Sequence, residues 1–215
     1  MKIFIDLGAF TGDTIVTALK KYRNLDKIYA FEPLSKNFEK LKELFGNNKN
    51  IFLINAAADI VDDEKKLYLG KDYGDLGGSL VDGKTTCFKD KFEKVKTVDF
   101  SKYILETFNP TDRIILKIDI EGKEYEVLTK MIKDGSIKYI NEIYAEWHFS
   151  KIGMDLKTHQ KHIKQLRKYG FNLTGEKHLD DFRKVKKISK IKLQFRKYWF
   201  YYAYQCKIYL KIKFS

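Results

Sequence analysis

Residues 117–128 read KIDIEGKEYEVL, and the order of residue types in that stretch decides how the chain folds. The run RIILKIDI (113–120) that enters it is apolar enough for a buried strand. The run KEYEVLTKMIKDG (123–135) that leaves it has helical spacing and is ended by Gly135. Lys117, Asp119, Glu121, Lys123 and Glu124 therefore crowd a strand-to-helix junction, at the place where a core would begin.

Outward from this junction the same unit recurs. KIFIDL (2–7) is a buried strand meeting a glycine turn, and TGDTIVTALKKY (11–22) follows with Ile15, Val16 and Leu19 at helical spacing. KIYAFEP (27–33) is a second strand stopped by Pro33, followed by a helix over 35–46 with Ser35 as N-cap and Gly46 beyond its end. NIFLINAAA (50–58) is a third strand, and the polar, glycine-rich stretch 62–86 reads as a short strand pair with a mobile loop. A helix over 100–108, the fourth strand at 113–120, a fifth strand INEIYAEWH (140–148) and a helix over 158–170 complete the pattern, with a sixth strand starting at 171. Alternating strands and helices of this kind predict an α/β domain with a parallel sheet covered on both faces. Ligands in such sheets bind beyond the carboxyl ends of the strands. Those ends are residues 6–12, Glu32, 55–57, 119–121 and 146–148, and four of the five carry a carboxylate.

Composition limits the alternatives. The chain has 215 residues, two prolines and no low-complexity linker, so one domain is expected. Cys87 and Cys206 lie in no CxxC or metal-binding spacing, which fits a reducing, cytoplasmic setting. No apolar run approaches the roughly 20 residues needed to span a bilayer. From Phe182 onward there are 11 lysines and arginines and no acids. The first 181 residues thus hold 31 of the 42 basic residues against all 29 acids, so the net charge of +13 resides mainly in the tail. Residues 206–214 alternate apolar and basic side chains, which suits either a last sheet strand or a recognition tail for an anionic membrane surface, glycolipid or polymer.

DLGAFTG (6–12) puts two glycines at the first strand-to-helix turn, where the backbone can approach a ligand closely. It is neither GxGxxG nor a P-loop. Glu32, at the end of the second strand, is placed to accept hydrogen bonds from ribose hydroxyls. With IDLGAFTGDT, YAFEP, LKIDIEGKEYEVL, YAEWH and TVD (97–99) in this order, the chain resembles the FkbM family of S-adenosylmethionine-dependent O-methyltransferases. The resemblance implies a Rossmann-like class I methyltransferase fold over residues 1–204, with a mainly parallel seven-stranded sheet and a C-terminal antiparallel hairpin. Residues 205–215 would be a basic, aromatic extension. It also implies that Asp6, Gly8, Ala9, Gly12 and Thr14 lie around the methionine moiety, Glu32 and Pro33 at the ribose, and Asn55 and Ala56 against adenine.

Methyl transfer to a hydroxyl requires the acceptor in near-attack geometry and an acceptor for its proton. Asp119, Glu121, Glu146 and His148 converge at the ends of the fourth and fifth strands. A divalent ion such as Mg²⁺ or Mn²⁺ on Asp119, Glu146 and His148 would relieve their mutual repulsion. Alternatively Lys117 pairs with Asp119 and Glu146, and His148 acts alone as base. Lys117, Glu121 and Glu124 complete the catalytic set. Taken one at a time, the structural readings come first: Lys117 and Asp119 as a buried ion pair, Glu124 as a helix-start carboxylate and His148 as a core histidine. His159 and His162 read as surface residues, Lys123 as a solvated helix residue, and 72–80 as either a lid or an exposed loop. The function expected is methylation of a hydroxyl on a sugar of a glycan or glycolipid. The rivals are an RNA 2′-O-methyltransferase gripping phosphates with the tail, with nucleic acid the less favoured partner, and a non-enzymatic module for anionic surfaces.

Overall fold

The computed structural model describes residues 1–71, 77–171 and 173. Five strands form one parallel sheet: β1 (Lys2–Leu7), β2 (Lys27–Phe31), β3 (Ile51–Ile54), β7 (Arg113–Ile118) and β8 (Ile140–Ala145), in the order β3-β2-β1-β7-β8. A second sheet holds β4 (Ala57–Asp59), β6 (Cys87–Asp99) and β5 (Asp63–Gly70), with β4 parallel and β5 antiparallel to the central β6. The helices are α1 (Asp13–Lys21), α2 (Ser35–Phe45), α3 (Phe100–Thr107), α4 (Glu124–Asp134) and α5 (Leu156–Arg167).

β1 and β7 are buried at five of six positions each, as expected of strands covered on both faces. Alternation along them divides the core. Ile3, Ile5, Leu7, Ile114, Leu116 and Ile118 face α3, α4 and α5, through Phe100, Ile104, Leu128, Met131 and Leu166. Phe4, Ile28, Ala30 and Ile115 face α1 and α2, through Ile15, Ala18 and Leu41. The chain leaves β1 toward one face and β7 toward the other, so the seam between these adjacent strands is the point where the winding reverses and a crevice opens.

Several expectations need correction. The run 50–58 is two strands in two sheets. Asn55 ends the first by donating from Nδ2 to the carbonyls of Glu32 (2.9 Å) and Pro33 (3.1 Å), and the chain then crosses to β6. The expected strand pair within 62–86 is a longer hairpin, whose second strand β6 runs for 13 residues. β7 stops at Ile118 and β8 at Ala145, so Asp119, Glu146 and His148 sit on the irregular backbone beyond the strands and strand alternation does not govern them. Leu34, not Ser35, occupies the N-cap of α2, because the Ser35 hydroxyl donates to Glu93 at 2.6 Å. The last helix begins at Leu156, capped by the Asp155 carboxylate accepting from the Thr158 amide at 2.9 Å. The sheets hold five and three strands among the described residues. The sixth strand, the terminal hairpin and the tail lie outside the described residues, and the boundary at 204/205 lies there too. No described helix is long and apolar enough to cross a membrane.

One polar contact holds the seam. Asp6 and Lys117 are register partners in β1 and β7 and point to the α1 face. The Lys117 ammonium lies 3.0 Å from Asp6 Oδ1 and donates to the carbonyls of Leu7 (3.0 Å) and Gly8 (2.6 Å), while Thr14 donates to the other Asp6 oxygen. Both charged side chains are buried, and removing one partner of such a pair leaves an uncompensated charge in the core. Lys117→Ala is therefore expected to destabilise the protein by about 3–5 kcal/mol in urea unfolding. Lys117→Met combined with Asp6→Asn is expected to lose less than Lys117→Ala alone; an equal or larger loss would show that the charge pairing is not what matters at this seam.

Candidate active site

Gly8 leaves β1 with φ +78°, and a Cβ there would lie 2.0 Å from the carbonyl oxygen of Asp119, so only glycine lets the β1 and β7 turns close on each other. Phe10 also takes a left-handed φ of 50°, held there because its amide donates to Glu32 Oε2 at 2.8 Å. Glu32 Oε1 accepts from the Leu34 amide (3.1 Å) and the Asn37 side chain (3.4 Å). Burial pushes Glu32 up to about 7, against the pull of these donors and of Lys117. A carboxylate offers about four lone-pair sites, so three donors leave room for a ligand hydroxyl.

A cleft lies over these strand ends. Gly8, Glu32, Pro33 and Ala56 line it on the first half of the sheet, facing an apolar wall that includes Leu34, Leu67 and Leu80. Asp119 and Glu121 line its other end. Asp6 and Thr14 lie beneath, in the Lys117 network. Ala9 is buried in the α1-side core, Gly12 is covered by Phe45, and Asn55 is exposed and latches β3 to the end of β2.

The second half is built by the turn between β7 and α4. Glu124 is fully buried. Its Oε2 accepts from the Gly122 amide (2.9 Å), and its Oε1 from the Ile120 amide (3.0 Å) and from Nδ1 of His148 (2.9 Å). With a carboxylate on Nδ1, the hydrogen-bond network assigns the proton of neutral His148 to that nitrogen and leaves the lone pair on Nε2. Nε2 is buried, makes no hydrogen bond among the described residues, and stands 3.2 Å from Glu121 Oε2, 3.8 Å from Asp119 Oδ1 and 3.9 Å from Glu146 Oε1. Burial disfavours the imidazolium, but Glu124, Glu121 and Asp119 outweigh it and hold His148 above its ordinary value. Burial, reinforced by Glu146 and Glu121, pushes Asp119 up to about 6 despite Lys117 and His148. Burial would also raise Glu121, but His148 and Lys84 bring it below the usual carboxylate range. Lys117 is 3.9 Å from Asp119 and nearer to Asp6, so Asp6 is the carboxylate it chiefly pairs with.

The turn brings together groups that sequence reading did not single out. Buried Lys84 contacts Glu121 Oε2 directly, and the Ser79 hydroxyl donates to the Glu121 carbonyl at 2.6 Å. Lys123 is no solvated residue. It lines the cleft, 3.7 Å from buried Asp59 and 2.7 Å from Glu126. His159 is buried rather than on the surface, its Nδ1 2.9 Å from the Tyr125 hydroxyl and its ring stacked on Phe149. His162 is partly buried beside the Tyr125 ring. The glycines at 77, 78 and 83 mark where the chain turns back toward the site, but nothing in the local sequence marks Lys84.

A family model described as Methyltransferase FkbM domain matches residues 6–173. Among solved structures, the crystal structure of methyltransferase FkbM from Methylobacillus flagellatus KT at 2.20 Å resolution is similar at 14% identity and a TM-score of 0.44. The alignment covers 74% of this chain and 37% of that one, so the present chain spans little more than a third of that protein's length. No curated protein matches the chain. The family match takes in most of the sequence, both halves of the cleft included, and the chain belongs to the FkbM methyltransferase family.

Proposed function

We propose that the protein transfers a methyl group from S-adenosylmethionine to a hydroxyl, on a sugar of a glycan or glycolipid. The observation that carries this reading is the oriented imidazole of His148, with Nδ1 fixed by buried Glu124 and a buried Nε2 that makes no hydrogen bond among the described residues and stands among the carboxylates of Glu121, Asp119 and Glu146. S-adenosylmethionine supplies the methyl group on a sulfonium and departs as S-adenosylhomocysteine. The first half of the cleft fits it: Gly8 gives backbone access, Glu32 has acceptor capacity for ribose, and Leu34, Ala56, Leu67 and Leu80 offer an apolar wall for a base. In this reading Nε2 takes the hydroxyl proton, while Glu124 and Glu121 stabilise the imidazolium that results. Asp119 and Glu146 accept hydrogen bonds from neighbouring hydroxyls and so orient the acceptor.

Asp119 and Glu146 also offer oxygen donors 3.8 and 3.9 Å from Nε2 of His148, and two such oxygens with one imidazole are a donor set that suits a divalent ion. Asp119, Glu124 and His148 offer ligand atoms within 4.8 Å of one another, but Glu124 is engaged by Nδ1 and two amides and is better placed as a supporting group. An ion there would polarise the acceptor hydroxyl and would occupy the lone pair that otherwise takes the proton. The RNA reading gains little from Lys117, whose ammonium is held by Asp6 and two carbonyls. A cytoplasmic enzyme whose basic tail meets an anionic membrane or glycolipid fits the charge distribution, and the tail lies outside the described residues.

Calorimetry with S-adenosylhomocysteine should show affinity rising with pH through about 7. Glu32 accepts hydrogen bonds best when ionised, and its raised value puts that change near neutrality. Glu32→Gln should flatten the profile and cost about 1.5–3 kcal/mol, roughly ten- to hundredfold, at pH 8. An unchanged affinity would remove Glu32 from the ribose site.

His148→Ala should lower methyl transfer to a pooled oligosaccharide mixture by about 10²–10⁴-fold, leaving S-adenosylhomocysteine affinity within about twofold. Glu124→Gln should fall between that variant and the wild type. Transfer should survive complete chelation; loss on chelation, restored by Mg²⁺ or Mn²⁺, would instead assign Nε2 to an ion. Transfer to RNA in preference to the oligosaccharides would overturn the sugar assignment.

A further inference from the structure

Lys84 is buried to the end of its side chain, yet it lies on the loop between β5 and β6 rather than on a strand or helix of the core. Its ammonium contacts Glu121 Oε2 and donates to the carbonyl of Gly77 at 3.1 Å. The same loop reaches the β7–α4 turn again through Ser79 Oγ, which donates to the Glu121 carbonyl at 2.6 Å. It also reaches the chain after His148, where the Thr85 amide donates to the Lys151 carbonyl at 3.1 Å. Glu121 needs such support, because it takes a left-handed φ of 57° that a β-carbon-bearing residue rarely adopts. A buried ion pair adds little net stability over a well-packed apolar pair, so its value here is geometric. Glu121 Oε2 stands between the ammonium and His148 Nε2, 3.2 Å from the latter, without closing a hydrogen bond to it.

We propose that Lys84 is a positioning residue that acts through Glu121: its ammonium holds the carboxylate beside Nε2 of His148 and keeps it from closing over that nitrogen. This inference rests on the reading of His148 as proton acceptor. Without the ammonium, the Glu121 carboxylate closes on Nε2–H of the imidazolium form of His148, retaining the proton there and blocking the acceptor hydroxyl. Lys84 touches neither acceptor nor methyl donor, so its loss affects turnover and not methyl-donor binding.

The test is a cycle of full-length Lys84→Met, Glu121→Gln and the double variant. The readouts are transfer to pooled oligosaccharides, calorimetry with S-adenosylhomocysteine, and hydrogen exchange of the peptide 117–124. Lys84→Met is expected to lower kcat at least tenfold, with KM for S-adenosylmethionine and the S-adenosylhomocysteine affinity within twofold. It should also raise exchange at the Ile120 and Gly122 amides, and Lys84→Arg should recover at least a third of the rate. In the Glu121→Gln background, Lys84→Met should add less than twofold, since its action passes through that carboxylate. Full additivity, or unchanged exchange in 117–124, overturns the inference whether or not an acceptor in the pool is methylated. Absence of S-adenosylhomocysteine binding by the wild type would instead count against the methyltransferase chemistry itself.

Discussion

The buried ammonium of Lys117 is the constraint on which the site depends. It binds the last two carbonyls of the β1 end and the Asp6 carboxylate, so the first turn of the chain and the β7 strand more than a hundred residues later are fixed to one another. The closeness it enforces is visible at Gly8, where a Cβ would meet the Asp119 carbonyl. A parallel sheet places no hairpin between these strands, so only side chains and packing can set the shape of the crevice above them. Lys117 gives that crevice a rigid floor, and the groups expected to bind a nucleoside and to accept a proton stand on either side of it.

Above this floor the structure divides its carboxylates by environment. Glu32 and Glu124 have both oxygens engaged by backbone amides and side chains and act as braces for their turns. Asp119 lines the cleft, Glu146 keeps part of its side chain exposed, and Glu121 is shared between Lys84 and the imidazole. Four carboxylates near one histidine are tolerable because the cations are interleaved: Lys117 beside Asp119, Lys84 on Glu121, and His148 itself when protonated. The same arrangement keeps His148 above its ordinary value, which suits the proton-accepting role proposed for it.

The parts of the fold that were legible in the sequence are those with one-dimensional signals. β1, β2 and β7 are apolar runs ended by glycine, proline or charge, and α1 and α4 carry helical spacing with a glycine at one end. β6 escaped notice because only Cys87, Val95 and Thr97 of its 13 residues are buried, and the rest of the strand is rich in exposed lysine and acid. The break at Asn55 depends on carbonyls of the neighbouring strand, and the burial of His159 depends on Tyr125, 34 positions away. Lys84 reaches Glu121 across 37 positions from a polar loop, where a lysine is ordinarily solvated. KIDIEGKEYEVL marks the β7–α4 turn by its charges, but how those charges pair is tertiary. Glu124 meets Nδ1 of His148, Glu121 meets Lys84, and Lys123, outwardly a surface lysine, borders the cleft.

In the function proposed, the crevice over the β1/β7 seam receives the methyl donor with its sulfur turned toward Asp119 and His148. A crystal structure of the full-length protein with S-adenosylhomocysteine tests this most directly. The ribose hydroxyls are expected on Glu32, the adenine against Ala56 and the apolar wall, and the sulfur between Gly8 and Asp119 on the side of His148. A ligand bound elsewhere, or seated in the cleft with its sulfur directed away from His148, would contradict it.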